Sequence, residues 1–429
     1  MARLLNIVGA SARGAAFSAS AAGFEPACAD LFADVDLQAV CAVDRVENYP
    51  SGLANWLHSA RKAPWMYTGA LENYPGLIDE LARLRTLYGN SGRALRTARN
   101  PLYWSRALAE SGIATPRISL SPVELPRDGS WMLKPLRSAN GQHVAPWTAQ
   151  VSRIADPSEG PAWYYQERID GTPVAAVFVA ADRAAAILGV TRQLLGGNWR
   201  AAIAPLDIHG HVHKPGVGAP PLIASATLDE SLYRYTGSIG PLLISDDQFR
   251  TLERIGSVLT RACGLTGLFG VDAILNEQSV WPVEINPRYT ASIEILERAS
   301  ALRTSGRRPR RLHSIECHEA ACLFRQLPAP LGQSDEIISG KLIYYTPHEV
   351  IFSSAAARWA AERNLTRTLP AVADIPASGT LIPRGHPVLT VLGDGPKATS
   401  VCDELRQAAE TLEKLLLAPE TDTCETIHS

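Results

Sequence analysis

Short apolar runs alternate with polar turns and amphipathic stretches in the first quarter of the chain. Residues 4–10 are apolar and lead into a glycine-bounded turn at residues 9–14 and an alanine-rich stretch, a pattern that predicts a strand, a turn and a helix. The same alternation continues with apolar runs at 39–43 and 65–68 and an amphipathic segment at 77–87. We therefore expect residues 1–95 to form a doubly wound α/β domain.

The rest of the chain has a more mixed pattern. Apolar positions at helical spacing predict a linker helix at 101–112, a helix at 244–263 and a terminal helix at 401–417. Residues 204–231 are rich in Pro, Gly and His, which predicts an exposed loop. Short apolar segments bounded by turn residues predict strands at 131–133, 163–167, 174–180, 185–190, 337–346, 380–382 and 388–392.

Composition narrows the class of protein. The 429 residues include 41 Lys+Arg and 43 Asp+Glu, so the net charge of −2 gives no general attraction to nucleic acid or to anionic lipid. The chain has seven cysteines, an odd number without framework spacing, which predicts reduced thiols and a cytoplasmic location. No apolar run approaches the roughly 18 residues that cross a bilayer, so we expect no membrane span.

The sequence from Gly270 to Arg288 contains the clearest candidate chemistry. Two strand-like runs flank a polar turn, and they carry Asp272, Glu284 and Asn286 within apolar sequence. Glu284 and Asn286 are two residues apart, so they share one face of a strand. Asp272 joins them if it pairs with Glu284, for instance across a three-residue turn in which Asn276 pairs with Val280.

Three hard oxygen ligands on one face suit Mg²⁺, which prefers one or two carboxylates and completes its shell with water and substrate phosphates. The pattern therefore predicts a magnesium site with a nucleotide as the second partner. The alternative is a pair of hairpin carboxylates neutralised by arginines such as Arg288.

Lys134 is the second unusual residue. The chain has only six lysines beside 35 arginines, and Lys134 lies in the apolar segment Trp131-Met-Leu-Lys-Pro135. A buried ammonium needs an anionic partner, which makes Lys134 a candidate for binding an anion. An edge-strand lysine whose ammonium reaches solvent is the alternative.

Asp272 followed by Glu284-x-Asn286-Pro-Arg288, together with Lys134, resembles the signature of the ATP-grasp superfamily, and the resemblance extends over most of the chain. It is closest to predicted ATP-grasp carboxylate–amine ligases distantly related to biotin carboxylase. Further similar segments start at Gly189, Tyr235, Gly267, Asn286 and Asp374.

The resemblance implies an ATP-grasp fold of mixed α and β structure. Residues 1–95 would be a Rossmann-like domain, 96–190 the linker helix and lid, and 191–330 the core with the metal site. Residues 331–429 would be a small C-terminal β-rich subdomain with the terminal helix.

The resemblance also implies the site residues. Lys134 would contact the ATP phosphates, and Gln166, Glu167, Arg168, Ile169 and Asp170 would form the hinge strand that binds the nucleotide, with Glu167 accepting from the exocyclic amine of adenine. One or two Mg²⁺ ions would be bound by Asp272, Glu284 and Asn286. Arg288 would stabilise the transferred phosphoryl group, with Arg192 as a weaker candidate, and the substrate would meet Tyr289, Thr290, Ser292 and Glu294.

Three departures from the family pattern affect this transfer of residue roles. The phosphate-covering loop at residues 136–141 contains a single glycine. Thr172-Pro173 stands where many members have a ribose-binding acid, which leaves Asp170 for that task. Arg99 is the substitute available for an early second lysine.

The expected function is an ATP-dependent ligase that joins a small-molecule carboxylate to an amine through an acyl phosphate. A carboxylase that uses carboxyphosphate and a non-catalytic nucleotide-binding protein are the alternatives. The resemblance also suggests a place in the biosynthesis of a one-carbon cofactor, and a homodimer.

Other clusters give weaker predictions. The glycine turn at residues 9–14 lacks the middle glycine of a dinucleotide loop and the Gly-Lys-Ser/Thr of a Walker loop.

Residue types that can bind zinc occur close together at His313, Cys317, His318 and Cys322. Their spacing favours a partly buried helix over a zinc site. His209, His211 and His213 fit an exposed loop. The arginines between 303 and 311 fit a solvated basic surface better than a grip on an anionic substrate.

Overall fold

The computed structural model describes residues 3–151, 163–203, 232–277, 279–303, 311–330 and 332–418. Helices and strands alternate along these residues, which confirms the mixed α and β class. The predicted loop at 204–231 lies outside the described residues.

The first sheet of the described chain has four parallel strands: β1 (Arg3–Val8), β2 (Phe24–Asp30), β3 (Ala42–Arg45) and β4 (Trp65–Tyr67). Their order in the sheet is β3-β2-β1-β4. The helices between and after them are α1 (Arg13–Ala21), α2 (Val35–Gln38), α3 (Ser51–Ser59) and α4 (Pro75–Leu84), with a 3₁₀ turn at Leu71–Asn73.

Helices cover both faces of this sheet. Ile7 packs in one apolar cluster with Ala16 of α1, whereas the next residue, Val8, packs in another with Leu57 of α3. Successive strand residues point to opposite faces, so the arrangement is doubly wound. Strand β2 was not among the predicted strands, because its sequence FEPACAD has few strand-forming residues.

Two helices lead from the first sheet to a small second one. They are α5 (Gly92–Ala98) and α6 (Pro101–Glu110), the latter matching the predicted linker helix. In the described residues the second sheet is antiparallel, with the order β5-β8-β6-β7, and its strands are β5 (Ile118–Ser119), β6 (Asp128–Pro135), β7 (Ala145–Thr148) and β8 (Trp163–Glu167). Lys134 pairs with Tyr164 across β6 and β8.

The largest sheet of the described chain has eight antiparallel strands in the order β13-β12-β9-β10-β11-β14-β18-β16. These strands are β9 (Thr172–Ala181), β10 (Ala184–Leu195), β11 (Tyr235–Gly240), β12 (Gly267–Leu275), β13 (Val280–Asn286), β14 (Ile338–Tyr345), β16 (Val372–Ala373) and β18 (Pro387–Gly395). A separate pair is formed by β15 (Val350–Ile351) and β17 (Leu381–Ile382).

Helices pack on both faces of the large sheet. They are α7 (Trp199–Ala202), α8 (Asp246–Cys263), α9 (Ser292–Leu302), α10 (Ser314–Phe324), α11 (Ser354–Leu365) and α12 (Ala398–Leu417). Phe178 of β9 packs with Leu259 of α8, whereas the neighbouring Val177 packs with Ile293 of α9. The predicted helix at 244–263 is thus α8, which begins with a capping box between Ser245 and Gln248.

The predicted division into four units stays a prediction. Its boundary between residues 190 and 191 falls inside β10, and the eight-stranded sheet of the described chain takes strands from three of the predicted units. Among the described residues, no helix combines the length and the apolar character needed to cross a membrane.

Candidate active site

The predicted metal residues lie on two adjacent antiparallel strands. Asp272 of β12 pairs with Glu284 of β13, as expected. The expected pairing of Asn276 with Val280 is wrong, because Leu275 pairs with Val280 instead and a bulge follows Asp272. Since Ala273 pairs with Pro282, Val283 is the extra residue that brings the two carboxylates opposite each other.

Asp272 has an unusual electrostatic environment. Burial and the neighbouring charge of Glu284 raise the pKa of Asp272 to about 7, although a hydrogen bond from Gln193 acts in the opposite direction. Asn286 Nδ2 also donates to Asp272 Oδ2 at 3.1 Å. Two carboxylates this close, held in a partly dry site, favour a cation between them.

Glu284 is kept ionised by cations. Burial alone would raise its pKa, but the charges of Arg99 and Lys134 lower it below the ordinary value. Arg99 Nη1 lies 2.8 Å from Glu284 Oε1, and the same guanidinium donates to the carbonyl of Ser138 at 3.3 Å. Arg99, the proposed substitute for a second lysine, therefore joins the metal strand to the loop at 136–141.

Arg288 is fixed by three neighbours. Its Nε lies 2.7 Å from Glu72 Oε1, its Nη2 donates to Asn286 Oδ1 at 3.2 Å, and its Nη1 donates to the carbonyl of Tyr289. Glu72 is 1% exposed and belongs to the 3₁₀ turn after β4. The turn that follows the N-terminal sheet thus supplies the counter-charge for the arginine beside the predicted metal residues.

Lys134 points into the same region from the small sheet. Its Nζ donates to Gln166 Oε1 at 3.1 Å and to the carbonyl of Val283 at 3.2 Å, and it lies over the ring of Tyr164. The lysine is 9% exposed. It is therefore a buried cation, as the phosphate-binding interpretation requires, and not an edge-strand lysine whose ammonium reaches solvent.

The hinge segment from Gln166 to Asp170 follows β8 directly. The carboxylate of Glu167 is paired with Arg117 at 3.0 Å, and the N–H of Arg168 donates to the carbonyl of Ser130. Both groups therefore have partners within the protein, and the expected contact of Glu167 with adenine stays a prediction. Ile169 comes next in the chain, and Asp170 has a largely exposed carboxylate near Arg168.

A single cavity of about 390 Å³ collects most of these residues. Met132 and Ile274 contribute apolar side chains to its wall, and Asp272 and Glu284 contribute carboxylates. Twelve residues predicted from the sequence line it: Lys134, Gln166, Glu167, Arg168, Ile169, Asp170, Asp272, Glu284, Asn286, Arg288, Thr290 and Ser292.

Residues 98–292, which include this cavity, match the family model of the ATP-grasp domain. The chain carries an ATP-grasp domain. The resemblance found in the sequence is thereby confirmed, and the domain class is that of ATP-dependent ligases and carboxylases, which use ATP and Mg²⁺. No curated protein matches the chain by sequence.

Solved structures show the same ATP-grasp fold. An L-amino acid ligase from Bacillus licheniformis superposes with a TM-score of 0.62 at 11% identity, covering 95% of this chain and 97% of its own. An N5-carboxyaminoimidazole synthase from Aspergillus clavatus, in complex with ADP and 5-aminoimidazole ribonucleotide, gives a TM-score of 0.60 at 14% identity, covering 96% and 99%.

A third relative connects the fold to biotin carboxylase. It is the biotin carboxylase domain dimer of 2-oxoglutarate carboxylase from Hydrogenobacter thermophilus, in complex with MgADP, ADP and bicarbonate. Its TM-score is 0.62 at 10% identity, and the match covers 95% of this chain and 89% of that one.

Three of the site residues predicted from the sequence do not line the cavity. Arg192 precedes the cavity residue Gln193 on β10 and acts electrostatically on Cys402 of α12, so it faces the opposite side of the sheet. The hydroxyl of Tyr289 meets Ser18 at 2.8 Å in the core, and Glu294 pairs with Arg13 and Lys341. The cavity gives no support for a catalytic role of Arg192 or a substrate contact by Tyr289.

The loop with one glycine is held against the large sheet. Asn140 Nδ2 donates to the hydroxyl of Tyr345 at 2.8 Å, and the carbonyl of Asn140 accepts from the N–H of Tyr235. Gly141 has a φ of +71°, and a side chain there would collide with the carbonyl of Tyr233. The single glycine of the loop thus lies where the loop contacts the backbone of Tyr233 and where a side chain would not fit.

Two cavity contacts were missed from the sequence. Gln193 belongs to the family-like segment that starts at Gly189. Its hydrogen bond to Asp272 could have been predicted only by working out which face of the strand Gln193 occupies. Glu72 gave no local signal, since its partner Arg288 is 216 residues away.

The weaker clusters show no metal site. Among the described residues, no group of three His, Cys, Asp or Glu side chains converges as metal ligands. His318 is buried and bonded to backbone, as the interpretation of a partly buried helix implies. His209, His211, His213, Cys424 and the arginines at 307, 308 and 310 lie outside the described residues, and the other six cysteines form no disulfide within the described chain.

Proposed function

We propose that this protein is an ATP-dependent ligase that joins a carboxylate to an amine through an acyl phosphate. The observation that carries the proposal is the arrangement of charge in one cavity. A buried lysine, an arginine fixed by Glu72 and a facing pair of carboxylates all line it. Phosphoryl transfer depends on positioning and charge stabilisation, and these groups supply both.

The nucleotide would bind along the cavity between the hinge and the metal strands. Its base fits between Met132 and Ile274, beside the main chain of Ile169. Asp170 is the candidate for the ribose hydroxyls. Lys134 and Arg99 approach the cavity from the side of the loop at 136–141, where they would contact phosphate oxygens.

The donor set fits magnesium. Two carboxylates and one amide oxygen, from Asp272, Glu284 and Asn286, are hard ligands, and Mg²⁺ commonly retains waters and substrate phosphates in the rest of its shell. The raised pKa of Asp272, caused by burial and by Glu284, also indicates a site where negative charge lacks full compensation. Bound Mg²⁺ would neutralise charge on the β- and γ-phosphates.

The chemistry has two steps. A carboxylate oxygen of the acid attacks the γ-phosphorus, the bond to the β-phosphate oxygen breaks, and ADP leaves. The amine nitrogen then attacks the acyl carbon, loses its proton, and inorganic phosphate leaves as the amide forms. Arg288 would stabilise the charge on the migrating phosphoryl group, while Thr290 and Ser292 line the end of the cavity nearest α9.

Carboxylation through carboxyphosphate is the second candidate. It is favoured by the similarity of fold to a biotin carboxylase domain solved with bicarbonate. In that reaction bicarbonate would take the place of the acid in the first step, and the same cavity residues would act.

The test is ADP release in the presence of a panel of carboxylates, with hydroxylamine added to trap an acyl phosphate as a hydroxamate. We expect at least one acid to stimulate ADP release and to give its hydroxamate. Stimulation by bicarbonate alone would favour the carboxylase. ATP binding without ADP release under any of these conditions would overturn both candidates in favour of a non-catalytic nucleotide-binding protein.

Two variants accompany this test. Lys134→Met removes the buried ammonium and should weaken ATP binding by about tenfold or more, since a charge-assisted contact to phosphate is lost. Glu253→Gln on the exposed face of α8 is the matched control and should behave like the wild type.

A further inference from the structure

A second concentration of charge lies where the N-terminal sheet, α9 and the C-terminal segment meet. Arg13 at the start of α1 is 3% exposed and is ion-paired with Glu294 and Asp374, with Asp36 at 3.9 Å. We call the surrounding carboxylates the acidic cluster: Asp30, Asp34, Asp36, Asp374 and Glu294. Lys341 adds a second cation through its contact with Glu294 at 3.0 Å.

Four of the five carboxylates have partners. Asp30 accepts from three backbone N–H groups, and Asp36 accepts from two, those of Asp374 and Ile375. Asp374 accepts from Arg13 and from the hydroxyl of Thr390. Glu294 is bound by Arg13 and Lys341.

Asp34 is the exception. It stands at the N-cap of α2, where an aspartate ordinarily accepts from the helix N–H groups, yet its side chain makes no cap hydrogen bond. It is 7% exposed, and within the described chain its carboxylate has no hydrogen-bond or ion-pair partner. A buried carboxylate without a hydrogen-bond partner lowers the stability of the fold unless another group binds it.

The neighbours of Asp34 are mostly of the same charge. Burial first, and then Asp374, Asp36 and Asp30, raise the pKa of Asp34 to about 8, and Arg13 offsets only part of this. Formally, five carboxylates face two cations, which leaves three negative charges uncompensated. Asp374 keeps 26% of its side chain exposed, so the cluster is open to solvent on that side.

The geometry points to an organic cation and not to a metal ion. No three acidic side chains in the described ranges converge as metal ligands. An ammonium group is satisfied by separate acceptors and by water, and its single charge matches the carboxyl that lacks a partner.

The acidic cluster also adjoins the ATP-grasp cavity. Tyr235 and Ser292 line the cavity, and Glu294 follows Ser292 by two residues on α9. Tyr235 lies within electrostatic reach of both Glu294 and Asp272. The acidic cluster and the carboxylate strands of the cavity therefore have Tyr235 as a common neighbour.

We propose that Asp34 and its acidic neighbours bind the ammonium group of a cationic amine, the second substrate of the reaction. This inference rests on the proposed ligase function. It assigns the substrate a chemical class, a primary amine that is protonated when it binds.

The test is calorimetric titration of the full-length protein, with ATP present, by the amides of the twenty standard amino acids and by their N-acetylated forms. For amino acids with uncharged side chains, the amide carries an ammonium without a carboxylate and the acetylated form is neutral; the acetylated amides of lysine and arginine keep a side-chain cation and serve as a second cationic set. We expect at least one amide to bind and its acetylated form not to bind. Asp34→Asn should weaken that binding by about tenfold or more, as expected for loss of a charge-assisted contact.

A control and a second measurement separate binding from folding. Glu25→Gln alters an exposed carboxylate at the other end of β2 and should leave amide binding unchanged. At pH 9, where Asp34 is ionised, Asp34→Asn should raise the melting temperature of the ligand-free protein, because it removes an unpartnered charge that lies among like charges. A lowered melting temperature would instead show a structural role for this carboxylate and would overturn the proposal.

The remaining outcomes distinguish the two proposals. If no amide binds, or if binding is unaffected by Asp34→Asn, the amine site is wrong even where hydroxamate trapping succeeds. If amides bind in a manner that depends on Asp34 but no acid gives a hydroxamate or ADP, the cation site stands and the ligase function fails.

Discussion

Arg288 Nε lies 2.7 Å from Glu72 Oε1, so the arginine that we propose for phosphoryl transfer is held by a carboxylate from the N-terminal part of the chain. Glu72 is almost fully buried, and within the described chain its other oxygen, Oε2, has no hydrogen-bond partner. The pair therefore depends on a single strong contact. It makes the position of Arg288 sensitive to the packing of the 3₁₀ turn after β4.

Glu72→Gln should both destabilise the protein and slow turnover. The substitution leaves Arg288 buried beside a neutral amide, and breaking a buried ion pair typically costs about 3 kcal/mol. Urea unfolding and ADP release measure the two effects. Glu80→Gln, an exposed position on α4, is the control and should change neither. Wild-type stability together with wild-type turnover in Glu72→Gln would show that Arg288 does not need this partner.

Asp272→Asn should lose activity without losing stability. Burial and the charge of Glu284 both disfavour the ionised form of Asp272, so replacement by a neutral amide relieves repulsion while it removes the proposed metal ligand. We expect turnover to fall by about 100-fold or more, with a free energy of unfolding equal to or above that of the wild type. ADP release at increasing Mg²⁺ and urea unfolding measure these quantities. Full turnover in Asp272→Asn would remove the metal assignment.

The β12–β13 hairpin shows how far the sequence alone could reach. Alternation along a strand placed Glu284 and Asn286 on one face, and a polar turn indicated a hairpin with Asp272 opposite. The turn length was wrong, because the bulge at Val283 leaves no signal in the side-chain types that surround it. The pairing of Asp272 with Glu284 was nevertheless predicted correctly. The turn begins one residue earlier than expected, directly after Leu275, and the bulged residue Val283 makes up the difference.

Residues that depend on tertiary packing were harder to predict. The family motif included both Arg192 and Gln193, but only the placement of β10 shows that Gln193 faces the cavity and Arg192 faces α12. Ion pairs between distant segments, such as Arg13 with Glu294, join residues 281 positions apart. No local pattern encodes them, because their partners are set by how the sheets dock.

Gly141→Ala should weaken nucleotide binding. The residue has a positive φ, and an added methyl group would collide with the carbonyl of Tyr233, so the loop at 136–141 must move away from β11. We expect ATP affinity measured by calorimetry to fall by about tenfold, a change that corresponds to roughly 1.4 kcal/mol.

Gly112→Ala provides the matched control for the loop. Gly112 also has a positive φ, of +69°, but nothing lies within 4 Å of the position of an added methyl group. This variant should lose about 1 kcal/mol of stability from backbone strain and keep wild-type ATP affinity. Equal ATP affinity in both variants would show that the contact of Gly141 with Tyr233 has no part in nucleotide binding.

His318 should make the stability of the protein fall in mild acid. The N–H of Leu268 donates to His318 Nδ1 at 2.8 Å, so the neutral ring carries its proton on Nε2 and donates it to the carbonyl of Tyr88 at 3.1 Å. A second proton has no acceptor at Nδ1. Burial lowers the pKa of His318 to about 4, from an ordinary value of 6.5.

Proton uptake by His318 on unfolding determines how the free energy of unfolding changes with pH. Between pH 6.5 and 4 the unfolded chain binds a proton at His318 that the folded protein excludes, so the stability is fully present above pH 6.5 and falls as the pH approaches 4. The expected loss is about 3 kcal/mol across this range. In urea unfolding from pH 7 to 4.5, His318→Gln should be less stable than the wild type at pH 7, but this difference should shrink as the pH falls. His58→Gln on the exposed surface of α3 should give a curve parallel to that of the wild type, and a parallel curve for His318→Gln as well would show that the ring does not titrate on unfolding.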